Sequence, residues 1–207
     1  MSSKESLIKS MQDRGLLKSK LVREAFQKVH REHFVLPEYK DNAYADYPLP
    51  IPAGQTISQP TTVAIMLEAL ELHPGMNVLE IGTGSGYNAA LLGTIVGKAS
   101  TVISTEFVPE LVTFARNNLK KENVQNVVVI PTPHSLGYPQ KAPYDRIIVT
   151  AAPEKVPREL FEQLKGGGIL LVPVGPSYAQ KLLKLRKVKG RIIEETLGDF
   201  VFVPLRK

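Results

Sequence analysis

The chain has no cysteine, so disulfides, thiolate metal ligands and cysteine nucleophiles are excluded together. No apolar run reaches the roughly eighteen residues of a membrane span. The first residues, Met1-Ser2-Ser3-Lys4-Glu5-Ser6, lead into an acid-containing amphipathic stretch rather than an apolar secretory core, so a cytoplasmic protein without membrane contact is expected. Histidine is scarce: His30, His33, His73 and His134 are the four present. His30 and His33 stand three residues apart but have no acids at ligand spacing beside them, and no metal is expected. There is no Ser/His/Asp or paired-carboxylate constellation. Linkers, internal repeats and low-complexity segments are also missing.

What remains is ordinary for a globular protein: 207 residues, 43% hydrophobic and 22% charged, long enough for one domain with a substantial core. The net charge of +6 concentrates near the C-terminus in Lys181, Lys184, Arg186, Lys187, Lys189 and Arg191. These alternate with Leu182, Leu183, Leu185 and Val188, the pattern of a half-exposed antiparallel hairpin turning at Lys189-Gly190. No aromatics are interleaved to stack bases, so a solvated face is favoured over a nucleic-acid patch.

The most informative stretch is Val78-Leu79-Glu80-Ile81-Gly82-Thr83-Gly84-Ser85-Gly86-Tyr87. A buried-strand pattern ends in three glycines at alternate positions, and an apolar helical stretch follows. Glycines there permit positive φ and close approach of a ligand to the main chain, and a helix start offers free N–H groups. G-x-G-x-G differs from the dinucleotide fingerprint G-x-G-x-x-G, which favours S-adenosylmethionine over NAD; a purely structural turn is the other reading. Glu106 follows the next predicted strand, 101–105, and stands 20 residues after Gly86. An acid there accepts hydrogen bonds from ribose hydroxyls; otherwise it caps the helix expected at 109–121.

Around this unit the pattern predicts helices at 3–14 and 20–30, an irregular Pro- and Tyr-containing segment over 32–54, and a helix after Pro60 with Val63, Met66, Leu67 and Leu70 inward. Ser58 or Gln59 caps that helix on the local reading, whereas the alternative has Thr56 and Ser58 facing an anionic substrate. Strands at 77–81, 101–105, 126–130, 144–149 and 168–174 alternate with helices at 88–97, 109–121 and 156–164, giving a parallel sheet covered on both faces. Strands near 180–188 and 199–205 would finish it as antiparallel edge strands. The expected division is a cover over 1–60, a cofactor-binding α/β core over 61–175 and edge strands over 176–207, all in one domain.

Several pieces together resemble the protein-L-isoaspartate (D-aspartate) O-methyltransferases, within the Rossmann-like class I methyltransferases. They are His30-Arg31-Glu32-His33-Phe34-Val35, Gln55-Thr56-Ile57-Ser58-Gln59-Pro60, Leu79 to Tyr87, Ala142-Pro143-Tyr144-Asp145-Arg146-Ile147 and Phe202-Val203-Pro204-Leu205. The Thr-Ile-Ser-Gln-Pro block and the Phe-Val-Pro-Leu ending are the most specific. The resemblance implies methylation of the α-carboxylate of L-isoaspartyl and D-aspartyl residues by S-adenosylmethionine, followed by collapse of the ester to a succinimide, for protein repair. It implies Ser58 as the active-site serine. Thr56, Ile57, Gln59, Gly82, Gly84, Ser85, Gly86, Glu106, Thr132 and Gln180 would form the cofactor site. Isoaspartyl peptides and proteins are the expected partners, and a monomer is expected.

Where that family has Gly-Asp-Gly, this chain has Pro131-Thr132-Pro133. Replacing a carboxylate acceptor for the adenine amino group by a hydroxyl costs roughly 0.5–3 kcal/mol, up to about a hundredfold in affinity. Two alternatives stay open from the residues: a nucleic-acid methyltransferase, suggested by the positive charge, or a binding module that lost its cofactor through this change.

Overall fold

The computed structural model describes residues 3–132 and 136–206; Pro133 and His134, named above, lie outside them. Two short helices open the chain, α1 (Lys4–Asp13) and α2 (Lys20–Lys28). Ser3 and Ser19 cap them by accepting from the N–H groups of Ser6 and Val22. Their apolar stripes, Leu7, Ile8 and Met11, then Val22, Ala25 and Phe26, are buried.

The segment read as irregular contains 3-10 turns at Arg31–His33, Pro37–Asn42 and Pro52–Gly54, the last joining the strands of a small antiparallel hairpin. Its strands, β1 (Leu49–Ile51) and β2 (Gln55–Ile57), have three residues each, too few for alternation to register in sequence. Helix α3 (Pro60–Ala69) follows at once. Gln59 occupies its N-cap position without a side-chain capping bond. The orphan N–H of Thr61 instead goes to Asp46 Oδ1 at 2.9 Å, and Asp46 Oδ2 also takes the Thr61 hydroxyl at 2.6 Å. The cap expected from Ser58 or Gln59 thus comes from fifteen residues away, which leaves Ser58 unused by the helix.

The core runs β3 (Val78–Ile81), α4 (Tyr87–Val96), β4 (Val102–Glu106), α5 (Pro109–Lys121), β5 (Val127–Pro131), β6 (Tyr144–Val149), α6 (Arg158–Gln163), β7 (Leu164–Val174), β8 (Gln180–Val188) and β9 (Arg191–Phe200). These strands form one seven-stranded sheet in the order β5-β4-β3-β6-β7-β8-β9. The first five are parallel and the last two antiparallel. This is the parallel sheet covered on both faces that the alternation predicted, in the Rossmann-like arrangement that the resemblance implied. Period-two alternation divides the strands between two cores: Val78, Val102 and Ile148 face the layer of α1 to α5, while Leu79, Ile103, Ile147 and Val149 face α6. Among the described residues no helix is long and apolar enough to cross a membrane.

The last strand differs from expectation. It begins at Arg191, directly after Lys189 and Gly190, both at positive φ as a two-residue hairpin turn requires. Residues 191–196 are exposed because β9 is the sheet edge, so they show no alternation to read. Residues 201–205, expected as strand, instead pass beside β6: Ala152 N–H donates to Val203 O at 2.8 Å and Leu205 N–H to Ala152 O at 2.9 Å. The basic residues of β8 have local partners. Lys184 and Arg186 share Glu71 at 2.8 and 2.6 Å, Lys181 meets Asp199 at 3.2 Å, and Lys187 Nζ donates to Phe161 O and Leu164 O.

Candidate active site

Strand order reverses at β3: β4 and β5 lie to one side and β6 onward to the other. In open parallel sheets the crevice at such a switch point, outside the strands' carboxyl ends, is where ligands bind. Register brings those ends level. Ile81 pairs with both Thr105 and Val149, and Thr105 with Ile130, so Gly82, Glu106, Pro131 and Thr150 emerge side by side. A cleft opens there.

One wall is the glycine turn. Gly82, Gly84 and Gly86 have φ of 92, 55 and 87°. A Cβ on Gly82 would stand 2.5 Å from Thr150 Oγ1, and that hydroxyl already donates to Gly82 O. A Cβ on Gly86 would press on Ala115 and Leu119 of α5 at 3.4 Å. Asn118 of the same helix donates to Ser85 O at 3.0 Å. The turn is held from outside, and its cleft side is left for a ligand.

Glu106, 7% exposed, accepts from Gly84 N–H at 2.9 Å and Val108 N–H at 3.0 Å. It therefore braces the turn and does not cap α5, whose N-cap Val108 has no side-chain cap. Each carboxylate oxygen keeps a lone pair beyond these bonds. Thr132 lines the cleft beside it, held by its N–H on Glu106 O at 2.7 Å. The opposite wall is Thr56, Ile57 and Ser58, with Val203, Pro204 and Leu205 at the rim. Ser58 is partly exposed and its hydroxyl has no hydrogen-bond partner among the described residues.

Of the expected site residues, the cleft gathers Thr56, Ile57, Ser58, Gly82, Gly84, Ser85, Glu106 and Thr132. Gly86, Gln59 and Gln180 do not line it. Gly86 serves the packing of α4 on α5. Gln180 is buried, and its amide donates to Pro176 O at 2.5 Å and accepts from Phe202 N–H at 2.7 Å. It thereby ties down the segment that carries the rim.

Two fully buried charged residues escaped the reading by pattern. Glu80, inside β3, accepts from Asn88 Nδ2 at 2.7 Å and from the Ser104 hydroxyl, which is bonded in turn to Thr83 Oγ1 at 2.6 Å. Burial pushes its carboxyl up to about 7, with Glu106 adding to the rise and Ser104 and Asn88 opposing it. An acid within an otherwise apolar strand was the available signal. Arg31 is the other, fully buried against the Ser58 segment.

The acid missing near the histidines comes from Glu122, the C-cap residue of α5. Its carboxylate accepts from His30 N–H at 3.0 Å and pairs with the imidazoles of His30 and His33 at 3.1 and 2.6 Å. The donor atoms of the three lie within 4.8 Å of one another. They form a hydrogen-bonded tie between the cover and α5.

Residues 2–207 match the family model of the protein-L-isoaspartate(D-aspartate) O-methyltransferases. The chain belongs to that family. A protein-L-isoaspartate O-methyltransferase of Pyrococcus abyssi is 52% identical over 96% of this chain and 92% of its own. One of Methanopyrus kandleri is 46% identical over 98% and 91%. A Plasmodium falciparum structure named for the same enzyme, in complex with S-adenosyl-L-homocysteine, superposes with a TM-score of 0.86 at 28% identity, covering 100% of this chain and 99% of that one. This chain is an S-adenosylmethionine-dependent protein carboxyl methyltransferase acting on isoaspartyl residues.

Proposed function

We propose that the cleft holds S-adenosylmethionine with its methionine part on the Gly82–Ser85 turn, its ribose on Glu106 and its adenine beside Thr132. Ser58 on this reading receives the substrate's α-carboxylate from the opposite wall. The fit rests on the glycine cradle, whose positive φ and the 2.5 Å approach at Gly82 leave no room for a side chain, and on the spare acceptor capacity of Glu106. Bound there, the cofactor supplies an electrophilic methyl group on a sulfonium.

The residues have little acid–base work to do. A peptide α-carboxylate ionises near pH 3.5 and already carries its charge at neutral pH. What the protein supplies is alignment and exclusion of water. The Ser58 hydroxyl donates to one carboxylate oxygen and leaves the other free to attack. Ile57, 4% exposed, and the apolar rim of Val203 to Leu205 shed water from the pair. Glu106 and Thr150, by fixing the glycine turn, keep the cofactor wall in register with Ser58. The single observation that carries this reading is the meeting of the 56–58, 82–85, 106 and 132 segments, dispersed in sequence, around one cleft.

The test is transfer of labelled methyl from S-adenosylmethionine to a short isoaspartyl peptide and to its aspartyl twin, scored as base-labile methanol, with wild type beside Ser58→Ala. Label on the isoaspartyl peptide alone, with a large loss in Ser58→Ala, is expected. Full activity in Ser58→Ala would remove the hydroxyl from the reaction.

A further inference from the structure

Arg31 is 0% exposed, an expensive place for a guanidinium unless partners satisfy it. Its partners are unusual because none is a carboxylate. Nε donates to Ala43 O and Nη2 to Ser58 O, both at 2.8 Å, and the guanidinium carbon lies 4.9 Å from the Tyr87 ring centroid. Nη1 has no partner among the described residues. The group keeps its charge at neutral pH even though burial pulls it down to about 10, and the Asp46 carboxylate lies close enough to support the charge.

Those contacts join four pieces of chain that sequence keeps apart: the 31–33 turn, the loop after Pro37–Asn42, the end of the β1–β2 hairpin and the first turn of α4. Tyr87 is also the aromatic anchor of the cover, with Phe34 at 5.6 Å and Phe26 at 6.4 Å, and it lines the cleft. A hydrophobic residue of equal length would fill the same space. It would leave two carbonyls without donors and the Ser58 peptide free to turn.

We propose that Arg31 is a positioning residue for methyl transfer: by gripping Ala43 O and Ser58 O while seated on Tyr87, it fixes the Ser58 peptide relative to the glycine turn. The proposal rests on the reading of Ser58 given above. Its consequence is kinetic. A hydroxyl that aligns an already ionised carboxylate is sensitive to small displacements, and loss of alignment appears in kcat.

The experiment compares wild type, Arg31→Met, Arg31→Lys and Ser58→Ala, with an isoaspartyl peptide as substrate and S-adenosylhomocysteine as binding probe, well below the unfolding temperature. Arg31→Met keeps the volume; Arg31→Lys keeps the charge and one donor. The expected result is a kcat lowered about a hundredfold in Arg31→Met and about tenfold in Arg31→Lys, the scale of losing hydrogen bonds to a charged donor. Affinity for S-adenosylhomocysteine stays within about threefold, because the two bonds lost end on Ala43 O and Ser58 O and not on the glycine turn, Glu106 or Thr132. Amide exchange should quicken at 43–45 and 56–59 while β3 and β4 stay protected.

A purely structural role would lower the unfolding temperature and leave kcat alone. Overturning results are kcat within twofold of wild type in both variants, cofactor affinity falling in parallel with kcat, or failure of both variants to fold, which would make Arg31 a folding staple. Full activity in Ser58→Ala overturns the Ser58 reading. A defect in Ser58→Ala with fully active Arg31 variants overturns this proposal alone.

Discussion

Glu80 gives the sharpest test of the site's electrostatics. Its carboxyl is completely buried beneath the glycine turn and raised from the ordinary 4.5 to about 7, mainly by burial. In the unfolded chain it releases its proton near 4.5, whereas in the native protein it holds the proton to near neutrality. Between those values the native state binds more protons than the unfolded state, so stability falls as pH rises. The contribution is fully present below about pH 4.5 and gone above about 7. That span, at about 1.4 kcal/mol per pH unit, amounts to about 3 kcal/mol.

Glu80→Gln removes the titration and keeps the shape. Its amide can accept from Asn88 and donate to Ser104, the same two partners. Guanidinium unfolding of wild type and Glu80→Gln at steps from pH 4.5 to 8 isolates this group, because the other titrations cancel in the difference. The stability gap should move in favour of the glutamine variant by about 3 kcal/mol from the acidic to the neutral end. A gap constant across that range would refute the account and mean that Ser104 and Asn88 hold the carboxylate ionised throughout.

The cofactor wall yields further expectations. Glu106→Ala should weaken S-adenosylhomocysteine binding roughly tenfold to a hundredfold by calorimetry while leaving the circular dichroism unchanged; wild-type affinity would take Glu106 out of the site. Thr132→Asp, which restores the carboxylate that this family usually carries there, should tighten binding by up to about tenfold. Unchanged affinity would mean that the side chain at 132 stands away from the adenine. Gly82→Ala should lose cofactor binding and about 2 kcal/mol or more of stability, from the clash with Thr150 and the positive φ together. Adding Thr150→Ala should recover only part, since it relieves the clash and not the backbone strain.

How much of this was legible in sequence depended on the range of the interaction. The parallel core was readable because its strands are buried on both faces and its helices alternate with them. The cradle was readable because three positive-φ glycines at a strand end are a local requirement. Glu106 was readable because a βαβ unit fixes the spacing from one strand end to the next. Edge strand β9 was misplaced because exposure on an edge erases alternation, and the β1–β2 hairpin was missed because three residues cannot display a period. Gln180 was named from the resemblance; its amide bonds Pro176 O and Phe202 N–H outside the cleft lining, contacts no local pattern announces.

The substrate side of the cleft is harder to read for a physical reason. A reaction that needs no strong base needs no conspicuous constellation, so the residues that matter there act by placement. Asp46 takes the cap of α3 that Ser58 or Gln59 would otherwise supply. Arg31 takes the Ser58 carbonyl, and Gln180 holds Phe202. Each contact spans between about fifteen and thirty residues of chain and ends on a backbone group, which carries no residue identity. Together they leave the Ser58 hydroxyl without a partner among the described residues, across the cleft from a wall built from the strand ends. On the proposed reading, placing and shielding a substrate that arrives already ionised is the work left to these residues.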